Sequence, residues 1–221
     1  MIGDVVGSRR VHDRGAVQDV LTQTLARVNE LVPPAQPLEA TIGDEFQGAY
    51  EQLGDAVHAS LLVRLLLLPH ADTRYGLGLG GVTVFTQART PLSQDGPGWW
   101  AAREAIREVQ AREGRRASAR GARTWFVDRS GNPWPQDSDA PPAPRTGVAP
   151  AMNAFLLCRD ESIGLMGERA RRLLAGWLLG RTQQELAEAE GISQSAVSQA
   201  LGRSCAYAVR DAHEALREGS G

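Results

Sequence analysis

The stretch Thr41-Ile42-Gly43-Asp44-Glu45-Phe46-Gln47-Gly48 constrains the fold of this chain more than any other. An apolar run from Leu38 enters it, a Gly-Asp corner interrupts it, and an apolar, aromatic-bearing run leaves it toward Tyr50. Glycine supplies positive φ and aspartate tolerates tight corners, so the pattern predicts a β-hairpin with arms at 38–42 and 46–50. Its tip would hold the Asp44 carboxylate at a fixed height above a sheet. Alone, a Gly-Asp corner is most simply a turn. A second carboxylate in Ile2-Gly3-Asp4-Val5-Val6-Gly7-Ser8-Arg9 gives it a partner.

Around the hairpin the chain alternates strands and helices. Residues 2–6 read as a strand shorter than the usual five or six residues, as though its native start lay upstream of Met1. Asp13 can cap a helix over 14–31, where Val17, Val20, Leu21, Leu25, Val28 and Leu31 recur at helical spacing before Val32-Pro33-Pro34 ends it. A second helix over 53–68 stops at Pro69. Residues 75–85 alternate Gly with larger side chains and read as one strand, with glycines where another backbone or a ligand comes close. Gly96-Pro97-Gly98 opens a helix over 99–112, and 123–128 is a final strand. The order β-α-β-β-α-β-α-β predicts an α+β fold: a ferredoxin-like, palm-like split βαβ sheet over 1–128, with helices on one face. Six prolines between 133 and 150 mark a linker at 129–150, and an all-helical part follows at 151–221.

Composition narrows the functional classes. The 221 residues suit one large or two small domains, and 42% hydrophobic with 23% charged residues is ordinary for a soluble globular protein. A net charge of −2 gives no global basic field for coating nucleic acid or a membrane surface. Cys158 and Cys205 are far apart and lack a partner motif, which suits a reducing cytoplasm. No secretory signal pattern opens the chain, and the apolar run 59–68 is about half a membrane span and contains Arg64, so it reads as a core helix. The expectation is a cytoplasmic protein without a membrane partner.

In a split βαβ sheet the first strand lies beside the second arm of the hairpin, so Asp4 and Asp44 reach one edge. Two carboxylates there repel unless a cation lies between them. Oxygen-only ligands favour Mg²⁺ or Mn²⁺, and Glu45 can add a third oxygen. Such a centre positions a polyphosphate for in-line transfer.

These residues carry a resemblance. Gly3-Asp4-Val5-Val6-Gly7-Ser8-Arg9 together with Thr41 to Gly48 resembles the SatD family of bacterial proteins. More distantly the region is similar to the palm domain of class III nucleotidyl cyclases and GGDEF cyclases, and Arg74-Tyr75-Gly76-Leu77-Gly78-Leu79-Gly80 to a strand of theirs. The resemblance implies metal ligation by Asp4, the Val5 carbonyl and Asp44, beside the oxygen that Glu45 can add. It also implies nucleotide contacts from Gly7, Ser8, Arg9, Gly43 and Arg103. The chain has no lysine to read adenine, and Trp99 stands where the cyclases place an Asn four residues before Arg103. The expectation is therefore metal and nucleotide binding, with Arg103 the one candidate for a part in catalysis. Trp99 and Trp100 read as packing at a helix start, or as a platform for a base.

Residues 182–201 fit a helix-turn-helix. Thr182 with Glu185 forms a capping box, small Ala187 lets the helices cross, Gly191 turns the chain, and Ser193 caps the second helix. Leu186, Ile192, Val197 and Leu201 make the apolar seam. On DNA, Ser193, Gln194, Ser195, Ser198 and Gln199 would face the major groove, with Thr182 at the first helix start. Phosphate anchoring would rest on Arg181, Arg203, Arg210, Arg171 and Arg172. Glu190 occupies a slot that is commonly apolar. A following helix over 203–216, bearing Tyr207, Val209 and His213, could pair two chains as a homodimer. Together these readings predict a DNA-binding regulator coupled to a metal- and nucleotide-binding domain. The alternatives are a metal-dependent nucleotidyl cyclase or nucleotidyltransferase and a non-catalytic adaptor.

Overall fold

The computed structural model describes residues 1–8, 14–41, 43–86, 93–113, 121–131 and 147–219. Arg9, Asp13, Ile42 and residues 132–146 of the expected linker lie outside them. The first part runs β1 (Ile2–Val5), α1 (Arg14–Leu31), β2 (Gln36–Ala40), β3 (Glu45–Ala49), α2 (Leu53–Leu67) and β4 (Thr73–Leu79). These strands stand in the order β2-β3-β1-β4, each neighbouring pair antiparallel. That is the split βαβ topology, which follows once two right-handed crossovers interleave around one hairpin. A fifth strand, β7 (Thr124–Asp128), joins β4 in parallel.

Alternation along the strands assigns the two faces. Val5, Phe46, Tyr75, Leu77 and Phe126 share a core with Leu21, Leu25 and Val28 of α1 and with Val57, Val63 and Leu67 of α2. Phe46 and Tyr75 meet edge-to-face there, 5.9 Å between ring centroids. Ile2 points to the other face, against Trp99, Ala102 and Ile106 of α3 (Pro97–Glu113). Helices thus cover both faces, which corrects the one-faced arrangement expected from sequence. Glycine makes this possible. A Cβ at Gly76 would stand 2.1 Å from the Ala102 carbonyl oxygen, and one at Gly78 2.3 Å from the Ala102 nitrogen. The close approach signalled by those glycines is that of the α3 backbone.

The single strand expected over 75–85 is two elements. After β4 the chain leaves the sheet, and β5 (Thr83–Thr86) pairs with β6 (Ser93–Asp95) in a separate ribbon. The Gly98 N–H of α3 donates to the Gly81 carbonyl at 3.1 Å, which holds the corner between the two strands.

The remaining helices are α4 (Val148–Leu165), α5 (Glu168–Leu178), α6 (Gln183–Glu190), α7 (Gln194–Arg203) and α8 (Ala206–Glu218). Helix α4 begins ahead of residue 151 and carries Pro150 in its first turn, where a missing N–H costs nothing. Its Ala149, Met152 and Leu156 belong to the core of the sheet. A second core gathers Ile163, Leu173, Leu174, Leu186, Val197, Leu201, Ala206 and Val209 around Leu61 and Leu65 of α2. Helix α2 therefore serves both cores, and this is why it is apolar nearly all round.

Candidate functional site

The register of β1 places Asp4 opposite Glu45 on one side and opposite Arg74 on the other. Residues directly opposite share a sheet face, so Glu45, Asp4 and Arg74 form a row on the α3 side. Arg74 grips Asp4 with both arms, Nε to Oδ1 at 2.7 Å and Nη2 to Oδ2 at 3.1 Å. Gln110 Nε2 donates to Asp4 Oδ2 at 2.9 Å. Arg103 forks onto both oxygens of Glu45, at 2.5 and 2.7 Å. Arg103, Gln110 and Glu113 reach the row because two turns of helix separate the first pair and one turn the second. Burial works against the Arg74 cation, but Asp4 and Glu113 lift its pKa above the ordinary arginine value. The hydrogen bonds to Glu45 do the same for Arg103.

Asp44 sits at the corner beside this row. The Val5 N–H donates to the Asp44 carbonyl at 3.2 Å, and the Ser8 hydroxyl to Asp44 Oδ2 at 2.5 Å. Gly7 and Gly43 have φ of 68° and 78°, and a Cβ at either would meet nothing within 4 Å. Glycine is required at these turns by backbone conformation. Asp4, Val5, Asp44, Glu45, Gly7, Ser8, Gly43 and Arg103 thus come together at one end of the sheet. In this arrangement they do not fit a resident divalent cation. Both oxygens of Asp4 lie in the Arg74 fork, both of Glu45 in the Arg103 fork, and Asp44 accepts from Ser8. Among the described residues no three His, Cys, Asp or Glu side chains gather as a metal-holding group. The repulsion between neighbouring acids is relieved by guanidinium groups where an ion was expected.

The row is the outer end of a longer ion chain. Glu113 bridges Arg74 at 2.7 Å and Arg123 at 3.2 Å, and Arg123 holds Asp72 at 2.6 Å. Asp72 pairs with Arg64 at 3.0 Å, Arg64 with Asp160 at 3.4 Å, and Asp160 with Arg159 at 2.8 Å. Burial pushes the Asp72 carboxyl up, yet Arg64 and Arg123 together hold it below the usual range. Alternating signs let these charges stay inside the protein, since a buried charge without a partner is costly. Sequence reading missed the partners Arg74, Glu113 and Arg123. The available signal was Arg74 itself, a lone cation entering a glycine-rich buried strand.

The second candidate is the pair α6 and α7. The Thr182 hydroxyl accepts from the Glu185 N–H at 3.2 Å while Glu185 Oε2 accepts from the Thr182 N–H at 2.7 Å, so both halves of the capping box form. Gly191 ends α6 at φ 64°, and the Ser193 hydroxyl accepts from the Ala196 N–H at 3.2 Å to start α7. Val197 and Leu201 are buried, whereas Gln194, Ser195, Ser198, Gln199 and Arg203 are exposed on the outer face of α7. Thr182 and Ser193 are spent on capping. The Tyr207 hydroxyl accepts from Gln183 at 3.1 Å and lies 3.3 Å from the Ser198 hydroxyl, tying α6 and α7 to α8. Nothing in the sequence singled out that hydroxyl.

The phosphate anchors expected from sequence are differently placed. Arg172 forks onto Glu190 with two contacts of 2.8 Å, which also explains the acid in an otherwise apolar slot. Those hydrogen bonds hold the Glu190 carboxyl below its usual range although burial opposes them. Arg171 donates to the Met166 carbonyl at 2.8 Å. Arg210 lies over the Trp177 ring at 4.1 Å and pairs with Asp211 and Glu214. Arg203 and Arg181 remain exposed near α7 and α6. Trp99 is buried packing, and the Trp100 indole N–H donates to Asp95 at 2.7 Å. Among the described residues no helix is long and apolar enough to cross a membrane.

Comparison with known proteins adds one relationship: the model of the SatD family matches residues 1–118, just over half of the chain. No curated protein and no solved structure matches it.

Proposed function

The chain belongs to the SatD family, and from the helices that follow the matched region we propose that it binds duplex DNA through α6 and α7, with α7 in the major groove. The observation that supports this reading is the outer face of α7. Gln194, Ser195, Ser198, Gln199 and Arg203 stand exposed on one side of a helix whose other side is anchored by Val197 and Leu201. Both helices are capped at their starts, so that face is held rigidly. Gln offers bidentate recognition of adenine edges and Ser can serve several bases. With few cations nearby, each module gains little from phosphate contacts. The reading therefore includes two copies on two half-sites one helical turn apart.

Turnover at the sheet would need Asp4 and Asp44 free to share a cation. The Arg74 fork on Asp4 supports a structural part for that end of the molecule instead.

Selection from random duplexes with the full chain tests the proposal. An enriched site is expected, with affinity falling about tenfold on Gln194→Ala, since a good bidentate contact is worth about 1–3 kcal/mol. Failure to enrich any site, or an enriched site indifferent to both Gln194→Ala and Gln199→Ala, would overturn it and favour an interaction module.

A further inference from the structure

Two imidazoles meet in the seam between the sheet and the C-terminal helices. His58 of α2 and His213 of α8 lie edge-to-face, 5.5 Å between centroids with planes at 60°, and Phe155 of α4 rests 5.7 Å from His213. Both histidines are buried, at 7% and 1% exposure. His58 Nδ1 and both ring nitrogens of His213 have no hydrogen-bond partner. A neutral imidazole presents one donor and one acceptor, and leaving them unpaired in a protein interior is unfavourable. Apolar side chains of similar size would pack this seam better, so its chemistry asks for another explanation.

The charges around the rings are one-sided. Arg159 approaches from α4 and Arg217 from α8, while Asp55 of α2 favours the His58 cation. Asp55 is already held by Arg217 at 2.9 Å, and Arg159 is paired with Asp160. Asp211 and Glu214 of α8 pair with Arg210, and Glu218 is exposed in its last turn. A proton on either ring would therefore sit beside Arg159 and Arg217, with Asp55 already engaged by Arg217.

Helix α8 packs against both α7 and α2. Its first half, Ala206 and Val209, packs in one core with Val197 and Leu201 of α7. Its last turn lies so close to α2 that a Cβ on Gly54 would stand 2.6 Å from the Leu216 carbonyl oxygen. We propose that His58 and His213 form a proton-operated latch. With both rings neutral, α8 docks on α2; protonation of either ring releases the C-terminal half of α8 and loosens the support of α7. Its effect on DNA contact rests on the proposed function above, whereas the latch itself does not.

Burial, with Arg217 and Arg159 adding and Asp55 opposing, pushes His58 down to about 4 from 6.5, and burial drives His213 well below 6.5. The undocked helix binds more protons, so docking is fully present above about pH 6.5 and weakens as pH falls toward 4. From His58 alone, linkage predicts a loss of roughly 25-fold in the docking constant between pH 7.5 and 5.0.

Hydrogen exchange on the full chain without DNA, corrected for intrinsic rates, tests the latch independently of any operator. Amides of 212–218 should lose at least that factor of protection between pH 7.5 and 5.0, while those of α1 and α3 change little. In the double variant His58→Gln, His213→Gln the loss should shrink to under threefold. If that variant does not fold, His58→Phe, which keeps the ring contact without titrating, should recover about tenfold of the protection. Uniform loss across all helices, full protection of α8 at pH 5.0, or an unchanged pH profile in the foldable variant would overturn the proposal.

Discussion

The side-chain amide of Asn153 pairs with both backbone groups of one residue, Phe126. The Phe126 N–H donates to Asn153 Oδ1 at 2.8 Å, and Asn153 Nδ2 donates to the Phe126 carbonyl at 2.9 Å. Phe126 lies on β7, the strand at one end of the sheet, so the amide of α4 stands in for a neighbouring strand. The opposite edge uses the same device: Asn29 of α1 exchanges both bonds with Leu38 of β2, at 2.8 and 3.1 Å. Unpaired edges invite pairing with other chains, and each amide occupies the free backbone groups of one edge residue.

Replacing Asn153 by Leu leaves a buried N–H and a buried C=O without partners. At about 1–3 kcal/mol for each such group, the full chain should lose about 3 kcal/mol in urea unfolding. Asn29→Leu should cost less, because Asn29 is partly exposed and water can replace it. Light scattering during refolding should rise for both variants. Equal stability of Asn153→Leu and wild type would show that the edge is satisfied otherwise.

The contact between β4 and α3 makes a second prediction. Gly76→Ala would drive a methyl group into the Ala102 carbonyl, which is backbone and cannot rotate aside. Overpacking typically costs 1–3 kcal/mol, so about 3 kcal/mol is expected here, with a matching fall in the melting temperature. Gly43→Ala has open space around it and should show only the smaller backbone cost of positive φ, about 1–2 kcal/mol.

That contrast separates what sequence could and could not reveal. The hairpin, the order of strands and the glycine alternation at 76–80 were legible, because turn chemistry and spacing are local. The identity of the backbone approaching those glycines was not, since α3 lies some twenty residues later and returns across the sheet. Residues 2–8 and 41–48 were legible as one sheet end, because the topology forces β1 beside β3. The partners of the charges there were not legible, because Arg74 and Arg103 are distant in sequence and carry no local mark of the pairing. The capping box of α6 was readable at sight, being four residues long.

Arg74→Met tests the assignment of Asp4 to the ion chain. Breaking a buried pair from one side leaves an uncompensated charge, for which about 3 kcal/mol of destabilisation is expected. Asp4→Asn keeps one acceptor oxygen for Arg74, and a turned Gln110 amide can accept from its NH2, so it should cost less, about 1–2 kcal/mol. With Asp4 and Glu45 held by arginines, millimolar Mg²⁺ should leave the melting temperature of the wild-type chain unchanged. A clear rise with Mg²⁺ that Asp4→Asn abolishes would restore a metal role for these carboxylates.

Glu190 sets the last prediction, which concerns DNA affinity. Its carboxylate holds Arg172 with two 2.8 Å contacts and lies 3.7 Å from Arg169. In duplex binding through α7, the same acid would also repel phosphate. Glu190→Ala removes one negative charge and releases Arg172 and Arg169 from it, with Glu168 still 3.8 Å from Arg172. Each new phosphate contact steepens the dependence of log K on log salt by about 0.9, so the variant should bind several-fold more tightly at low salt with a steeper slope. Enrichment at the selected site should not change, because Gln194, Ser198 and Gln199 are untouched. Fluorescence anisotropy across a salt series would report both quantities, and an unchanged slope would place α5 away from the DNA backbone.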